Sequence, residues 1–87
     1  MSAPHSELLR TFEAAQQSVK TKKAVGNDVL LHLYALFKQA TVGDISGDRP
    51  GMMDFKGRAK YDAWSARKGI TKEQAQRDYV DLVASLP

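Results

Sequence analysis

The chain has 87 residues, no cysteine, and 13 lysines and arginines against 10 aspartates and glutamates, which gives a net charge of +3. A chain this short buries only about two-thirds of the surface of its unfolded form, so we expect one domain over residues 1–87. Without cysteine, a disulfide framework, a thiolate nucleophile and a cysteine metal site are excluded, and a reducing cytoplasm is favoured. The mild positive charge favours anionic partners without identifying them.

No segment of the sequence has the pattern of a targeting or membrane-spanning element. Residues 1–5 lack the charged and apolar regions of a secretory signal. No apolar run approaches the ~20 residues that a spanning helix needs. The sequence therefore predicts a soluble cytoplasmic protein without stable membrane insertion.

The first predicted helix runs from about Glu7 to Val19, with Ser6 as its N-cap. Its apolar residues recur at i, i+4, i+7 and i+11, which is typical of a helix with one buried face. They are Leu8, Phe12, Ala15 and Val19. Residues 21–27 lose this rhythm and end in a Gly-Asn turn signal, so we expect a loop that returns the next helix antiparallel.

The second predicted helix has Asn27 or Asp28 as its cap and ends before Gly43. Tyr34 and Lys38 lie one turn apart on a face beside the apolar stripe, so their side chains should point toward the same place. The stripe consists of Leu30, Leu33, Phe37 and Ala40.

An ordered connection is predicted to follow, in which Pro50-Gly51 suits the middle of a type II turn. The third predicted helix runs from about Asp54 to Lys68. Gly57 within it costs roughly 1 kcal/mol relative to alanine. Gly69 suits a left-handed C′ position after it.

The fourth predicted helix starts with the Thr-x-x-Gln spacing of a capping box, formed by Thr71 and Gln74. Its apolar stripe consists of Ala75, Tyr79, Leu82 and Leu86. No segment of useful length alternates with period 2, and no internal repeat is present. We therefore predict an all-α fold of four helices.

The strongest indication of function comes from two segments, YALFKQATVGD at residues 34–44 and KGRAKYDAW at residues 56–64. Together they closely resemble the acyl-CoA-binding protein family, and the similarity extends from about Phe12 to Leu82. The resemblance implies an up-down-down-up four-helix bundle. It also implies a carrier that binds acyl-CoA esters without catalysis.

The residues of these segments suit a ligand that has both a flat ring and phosphates. The ring of Tyr34 can stack on a base, which contributes about 1–3 kcal/mol, and its hydroxyl can donate to a phosphate oxygen. Lys38 and Lys60 can form charge-assisted hydrogen bonds of roughly 1.5–3 kcal/mol each. The residue chemistry alone makes binding of coenzyme A feasible, and the resemblance makes it the expectation.

The resemblance further implies which residues bind the acyl-CoA. They are Lys20, Tyr34, Phe37, Lys38, Lys60 and Tyr79. Of these, Tyr34, Lys38 and Lys60 match the residues that clasp the 3′-phosphate end of CoA in the family. Phe37 stands where many members have a tyrosine, so it can stack but cannot donate a hydrogen bond. Tyr61 stands where tryptophan is common.

Several of these residues also have a simpler interpretation as packing or surface residues. Tyr79 lies on an apolar stripe and could equally be a core residue with its hydroxyl at the rim. Trp64 and Phe12 are predicted core residues, because large aromatics at helical spacing usually bury surface. Three residues are candidates for an acyl groove, with ordinary packing as the alternative. They are Leu31, Met52 and Met53.

The leading hypothesis is a monomeric, non-enzymatic carrier and buffer for medium- and long-chain acyl-CoA esters, which passes them to acyl-CoA-using enzymes and needs no cofactor. The alternative is a basic module that binds nucleic acid or another anion. Its cations would be Lys20, Lys22, Lys23, Lys56, Arg58 and Lys60. Acidic residues are interspersed among them and no basic recognition helix stands out, so no nucleic-acid partner is expected.

Catalytic and metal sites have no support in the sequence. His5 and His32 are far apart and have no clustered acidic or cysteine ligands. No phosphate-binding Gly-x-x-x-x-Gly-Lys loop and no Ser-His-Asp or Cys-His arrangement is present. We therefore expect no enzyme activity and no metal.

Overall fold

The computed structural model describes the backbone of residues 4–23 and 25–87 and the side chains of residues 7–23 and 25–87. Over these residues the regular secondary structure consists of four α-helices and no strand, as predicted. They are α1 (Pro4–Val19), α2 (Asn27–Thr41), α3 (Phe55–Ser65) and α4 (Lys72–Ala84).

The direction of α4 follows from its contacts at both ends. Gln76, near its start, donates to the carbonyl of Ala40 at the end of α2 (3.4 Å). Just beyond its end, the carbonyl of Leu86 accepts from Lys22, which lies between α1 and α2 (3.2 Å). Because α4 finishes where α1 finishes and where α2 begins, it runs parallel to α1 and antiparallel to α2.

The direction of α3 follows from two side-chain contacts with α2. Lys60 lies over the ring of Tyr34, and one turn later in both helices Trp64 lies against Lys38. The two helices therefore run in the same direction, and the arrangement is up-down-down-up.

The hydrophobic core lies between α1, α2 and α4. Its buried residues are Phe12, Ala15, Leu33, Leu36, Ala40, Ala75, Tyr79 and Val83. Among the described helices α3 contacts α2 alone, and it contributes no buried residue. Most of these buried residues lie on the apolar stripes that the sequence predicts. Leu30 is an error, because its side chain is 49% exposed. Leu36 and Ala35 were missed because α2 is covered on two sides, by α4 and by α3.

The starts of the first two helices differ from the sequence-based prediction. The α1 helix begins at Pro4, so Ser6 lies inside it and is not its cap. Proline suits the first turn of a helix, where its missing N–H has no partner to lose. The N-cap of α2 is Gly26, without a side-chain hydrogen bond, so the caps predicted at Asn27 or Asp28 are wrong.

The start of α4 has the predicted Thr71 cap, but the capping box is not closed, because the Gln74 side chain bonds to Asp78 and not back to Thr71. Thr71 is its N-cap, and the Thr71 hydroxyl accepts a hydrogen bond from the backbone N–H of Gln74 (3.1 Å). The amide of Gln74 donates to Asp78 one turn further along (2.9 Å). The cap therefore satisfies one of the free N–H groups of the helix start.

Side chains of α3 hold the long connection between α2 and α3. Their contacts are Trp64 Nε1 to the Gly43 carbonyl (2.9 Å), Tyr61 hydroxyl to the Gly47 carbonyl (3.0 Å), and a two-pronged Arg49–Asp62 ion pair (2.9 and 2.7 Å). The predicted turn at Pro50-Gly51 is wrong, because Gly51 lacks the positive φ that a type II turn requires at that position. The carbonyl of Gly51 instead accepts from Asp54 N–H (3.0 Å).

A hydrogen-bonded cluster joins the end of α2 to the segment before α4. The buried amide of Gln39 donates to Asp44 and to the carbonyl of Ile70, both at 2.8 Å. Asp44 also accepts from the N–H of Gly69 (2.8 Å), and these bonds, that of Gly69 first, lower the pKa of the Asp44 carboxyl. Gly69 has φ of 92°, as its left-handed prediction requires, although α3 itself ends earlier, at Ser65.

The N-cap of α3 explains why residue 57 is glycine. The Asp54 carboxylate accepts from the backbone N–H of Gly57 (2.9 Å), and a Cβ on residue 57 would collide with that carboxylate. We expect Gly57→Ala to change the free energy of unfolding by between about +0.5 and about −1 kcal/mol. The helix-propensity gain of roughly 1 kcal/mol is offset by loss of a cap worth about 0.5–2 kcal/mol.

Urea unfolding in two backgrounds checks this expectation. After Asp54→Ala has already removed the cap, Gly57→Ala should stabilise the protein by about 1 kcal/mol. An equal stabilisation in both backgrounds would show that the carboxylate does not determine the effect of residue 57.

Candidate ligand-binding site

A cavity of about 360 Å³ opens between α2 and α3. Its lining residues are Asn27, Leu30, Leu31, Tyr34, Lys56, Ala59 and Lys60. One wall comes from successive turns of α2 and the other from successive turns of α3, which the parallel packing of these helices brings together. The cavity combines leucine side chains with a tyrosine ring and two lysines.

The predicted pair Tyr34 and Lys60 meets at this cavity. The Lys60 ammonium lies over the Tyr34 ring, with Nζ 5.4 Å from the ring centroid. This is a cation–π contact, which is worth about 0.5–1 kcal/mol at an exposed site. Tyr34 is half-buried and Lys60 is exposed, so the ammonium lies where a ligand from solvent can reach it.

A second cation–π contact lies one turn further along both helices. The Lys38 ammonium lies over the ring of Trp64, with Nζ 5.2 Å from the ring centroid. In the first pair α2 supplies the ring and α3 the ammonium, and in the second pair these roles are exchanged. We call the four residues Tyr34, Lys60, Lys38 and Trp64 the cation–π ladder.

Among the described side chains, neither Lys38 nor Lys60 forms an ion pair with a carboxylate. A ring attracts an ammonium through its electron-rich face without neutralising its charge. Both ammonium groups therefore remain available for an anion. A phosphate is suited to them, because charge-assisted hydrogen bonds to phosphate oxygens are among the stronger ones.

Lys38 lies outside the cavity wall, and so do the three remaining predicted head-group residues. Lys20 follows α1, is exposed, and donates to the side chain of Gln17 (3.4 Å). Phe37 stacks on Phe12, with ring centroids 6.2 Å apart. Tyr79 packs edge-on against Phe12 at 5.1 Å and is buried, and this burial raises the pKa of its hydroxyl. Ligand contact by these three residues stays a prediction.

The predicted acyl-groove residues are divided between the cavity and the surface. Leu31 lines the cavity. Met52 and Met53, in the connection before α3, are 77% and 87% exposed and do not line it. A contact of these methionines with an acyl chain stays a prediction.

Part of the site was not predicted from the sequence. Asn27 and Ala59 line the cavity. Asn27 lies three residues before Leu30, and Ala59 lies three residues after Lys56, and this spacing would have indicated the shared helix faces. Trp64 was assigned to the core alone, but it is half-buried and contacts Lys38. The repeated ring and lysine spacing, at Tyr34 and Lys38 and again at Lys60 and Trp64, is the signal that points to this contact.

Metal clusters and membrane-spanning helices are absent from the part of the chain that the structure describes. It contains no group of three or more His, Cys, Asp or Glu side chains placed to hold a metal ion. None of its helices is both long enough and apolar enough to cross a membrane.

The fold and the cavity define a small helical binding domain that joins apolar surface to ammonium groups. The chain belongs to the acyl-CoA-binding protein family. The sequence model of that family, described as "Acyl CoA binding protein", matches residues 9–83. The family predicted from the two sequence motifs is thereby confirmed.

Individual relatives and solved structures agree with this assignment. The chain is 54% identical to "Acyl-CoA-binding protein homolog 1" of Caenorhabditis elegans over 77 residues, which covers 87% of this chain and 90% of the relative. It is 53% identical to "Enoyl-CoA delta isomerase 2" of Rattus norvegicus over 76 residues, which is 86% of this chain but 19% of that protein. The crystal structure of Oryza sativa Acyl-CoA-Binding Protein 2 matches with a TM-score of 0.90 at 41% identity, covering 94% of this chain and 90% of that one.

Proposed function

We propose that this protein binds medium- and long-chain fatty acyl-CoA esters and acts as a cytoplasmic carrier and buffer for them, without catalysis. The observation that carries the proposal is one cavity in which the leucines of α2 adjoin the Lys60 ammonium over Tyr34. An acyl-CoA ester has the same two parts, a phosphate-bearing head group and a hydrocarbon chain. Family membership and the names of the relatives support the same ligand.

The head group is bound by charge and by a ring face. Lys60 and Lys38 donate to phosphate oxygens, and Tyr34 presents its ring to adenine. The Lys60 ammonium sits on a flexible four-carbon stem, so it can move from the ring toward a phosphate while the ring stays in the cavity wall. Two ammonium groups on neighbouring turns suit a ligand with several phosphates.

The acyl chain is shielded by apolar surface that water otherwise contacts. Leu30 is 49% exposed in the cavity wall, and Leu31 and Ala59 lie beside it. Covering these side chains with hydrocarbon removes water from both surfaces, at about 0.8 kcal/mol per methylene fully buried. The exposed leucine is thus explained by a ligand that covers it.

The role is that of a monomeric carrier, which keeps free acyl-CoA low and passes it to acyl-CoA-using enzymes. The segment shared with the rat isomerase is 19% of that protein, so its name assigns no catalytic activity to this chain. Membership of a family described as binding protein supports the non-enzymatic assignment. Binding to the protein lowers the concentration of free acyl-CoA, and this limits the insertion of these amphiphiles into membranes.

Isothermal titration calorimetry with three ligands tests the proposal. Wild-type protein is titrated with dodecanoyl-CoA, with free CoA and with a short single-stranded oligonucleotide. We expect dodecanoyl-CoA to bind most tightly and the oligonucleotide most weakly. Equal affinity for free CoA and the ester would reduce the function to binding of CoA. Tightest binding of the oligonucleotide would favour a nucleic-acid-binding function instead.

Removal of one site ammonium should weaken binding without unfolding the protein. We expect Lys60→Met to weaken dodecanoyl-CoA binding by about 1.5–3 kcal/mol, the range of one charge-assisted hydrogen bond. Helix content by circular dichroism should stay unchanged, because Lys60 is exposed. Lys23→Met is the matched control, since Lys23 is an exposed lysine outside the cavity wall. Equal affinities of the two variants would exclude Lys60 as a head-group ligand.

A further inference from the structure

Trp64 is the one ladder residue that neither lines the cavity nor carries a charge. We infer that Trp64 is a positioning residue, which holds the Lys38 ammonium in place for the phosphate of the ligand. The inference rests on the proposed function and deepens it. It assigns to Trp64 a role in affinity that acts through Lys38 and not through contact with the ligand.

Hydrogen bonds fix the indole of Trp64 relative to the end of α2. Its Nε1 donates to the carbonyl of Gly43 at 2.9 Å. The N–H of the same Gly43 donates to the carbonyl of Lys38 at 3.1 Å. One glycine therefore connects the backbone of Lys38 to the indole that lies under the Lys38 side chain. The ring and the lysine are held as parts of one local structure.

The contact restrains a side chain that would otherwise be free to rotate. A lysine has one of the largest rotamer entropies of any side chain, and it loses much of this entropy when its ammonium is fixed. Lys38 is half-buried and has no carboxylate partner among the described side chains, and the contact that the structure shows for its ammonium is the Trp64 ring. A ligand that binds a restrained ammonium pays less of this entropy on binding.

The two cation–π contacts differ in their relation to the cavity, and this difference can be measured. Tyr34 lines the cavity, so changing it alters both ligand contact and the position of Lys60. Trp64 does not line the cavity, so its effect on binding should disappear when Lys38 loses its charge. A residue that acts only through fold stability would show no such dependence on Lys38.

A double-mutant cycle measures this dependence. Wild type, Trp64→Leu, Lys38→Met and the double variant are titrated with dodecanoyl-CoA. We expect Trp64→Leu to weaken binding about three- to tenfold, which is part of the rotamer entropy lost when a lysine ammonium is fixed. In the Lys38→Met background it should change affinity by less than about twofold. Trp64→Phe keeps a ring under the ammonium and should retain most of the affinity. Equal losses from Trp64→Leu in both backgrounds would overturn the inference.

Proton NMR of the ligand-free wild type gives a second readout, which needs no variant to fold and no ligand to bind. Methylene protons beside an indole face are shifted upfield by its ring current. We expect this shift for the protons next to the Lys38 ammonium and not for those of Lys23. Absence of the shift overturns the inference even if acyl-CoA binds. A shift without acyl-CoA binding confirms the contact and refutes the proposed function instead.

Discussion

Lengthening the acyl chain from free CoA to dodecanoyl-CoA is expected to tighten binding by several orders of magnitude. Each methylene withdrawn from water contributes up to about 0.8 kcal/mol, and about 1.4 kcal/mol corresponds to a factor of ten. The apolar wall of the cavity, with Leu30 half exposed, supplies the surface for this burial. Calorimetric titration of one protein preparation with saturated acyl-CoA esters of increasing length measures the gain.

The same series locates the end of the apolar surface. Once the chain is longer than the groove, added methylenes stay in water and the affinity should reach a plateau. Each ester has to be titrated below its micelle-forming concentration, since micelles would imitate a plateau. A flat series, with every ester binding like free CoA, would leave the protein a binder of the head group alone.

Phe12→Ala is expected to lower the free energy of unfolding by about 3–5 kcal/mol, as for other aromatic residues truncated in a core. The Phe12 ring is 3% exposed and contacts the rings of Phe37 and Tyr79. Truncation removes apolar burial and two aromatic contacts, and it leaves a cavity between three helices. Equilibrium urea unfolding, followed by circular dichroism, measures the change.

Phe12→Leu is the control for this substitution, because it retains most of the buried volume. We expect it to cost clearly less than Phe12→Ala, at about 1.5 kcal/mol. If Phe12→Ala costs under about 1 kcal/mol, the site collapses around the missing ring and Phe12 is not central to the core.

The core was largely predictable because two of the helices, α1 and α4, each have one simple buried face. Phe12, Ala75 and Tyr79 fall on the expected stripes and are buried. The periodicity of α2 failed at Leu30, because this helix packs against two neighbours and the cavity takes up part of its surface. Periodicity shows that a helix has an apolar face and does not show which neighbour covers each part of it.

The connection before α3 was the least predictable part of the structure. Its conformation depends on Trp64, Tyr61 and Asp62, which lie 13–21 residues away from their partners. Local turn preferences at Pro50-Gly51 carry no information about these distant contacts. Contacts between distant residues also limited the prediction of the site. The family pattern led us to expect that Tyr34 and Lys60 lie together, but it did not indicate the contact of Lys38 with Trp64.

The attachment of α3 has a consequence for how the ligand leaves. Because α3 supplies no buried residue and contacts α2 alone among the described helices, it can open locally at a smaller free energy than global unfolding. Amide hydrogen exchange should therefore be faster in α3 than in α2 or α4. Since Lys60 and Ala59 line the cavity from α3, a ligand bound there stabilises the closed state, and this stabilisation grows with the logarithm of the ligand concentration. We expect outward movement of this peripheral helix to release the ligand while the three-helix core stays folded.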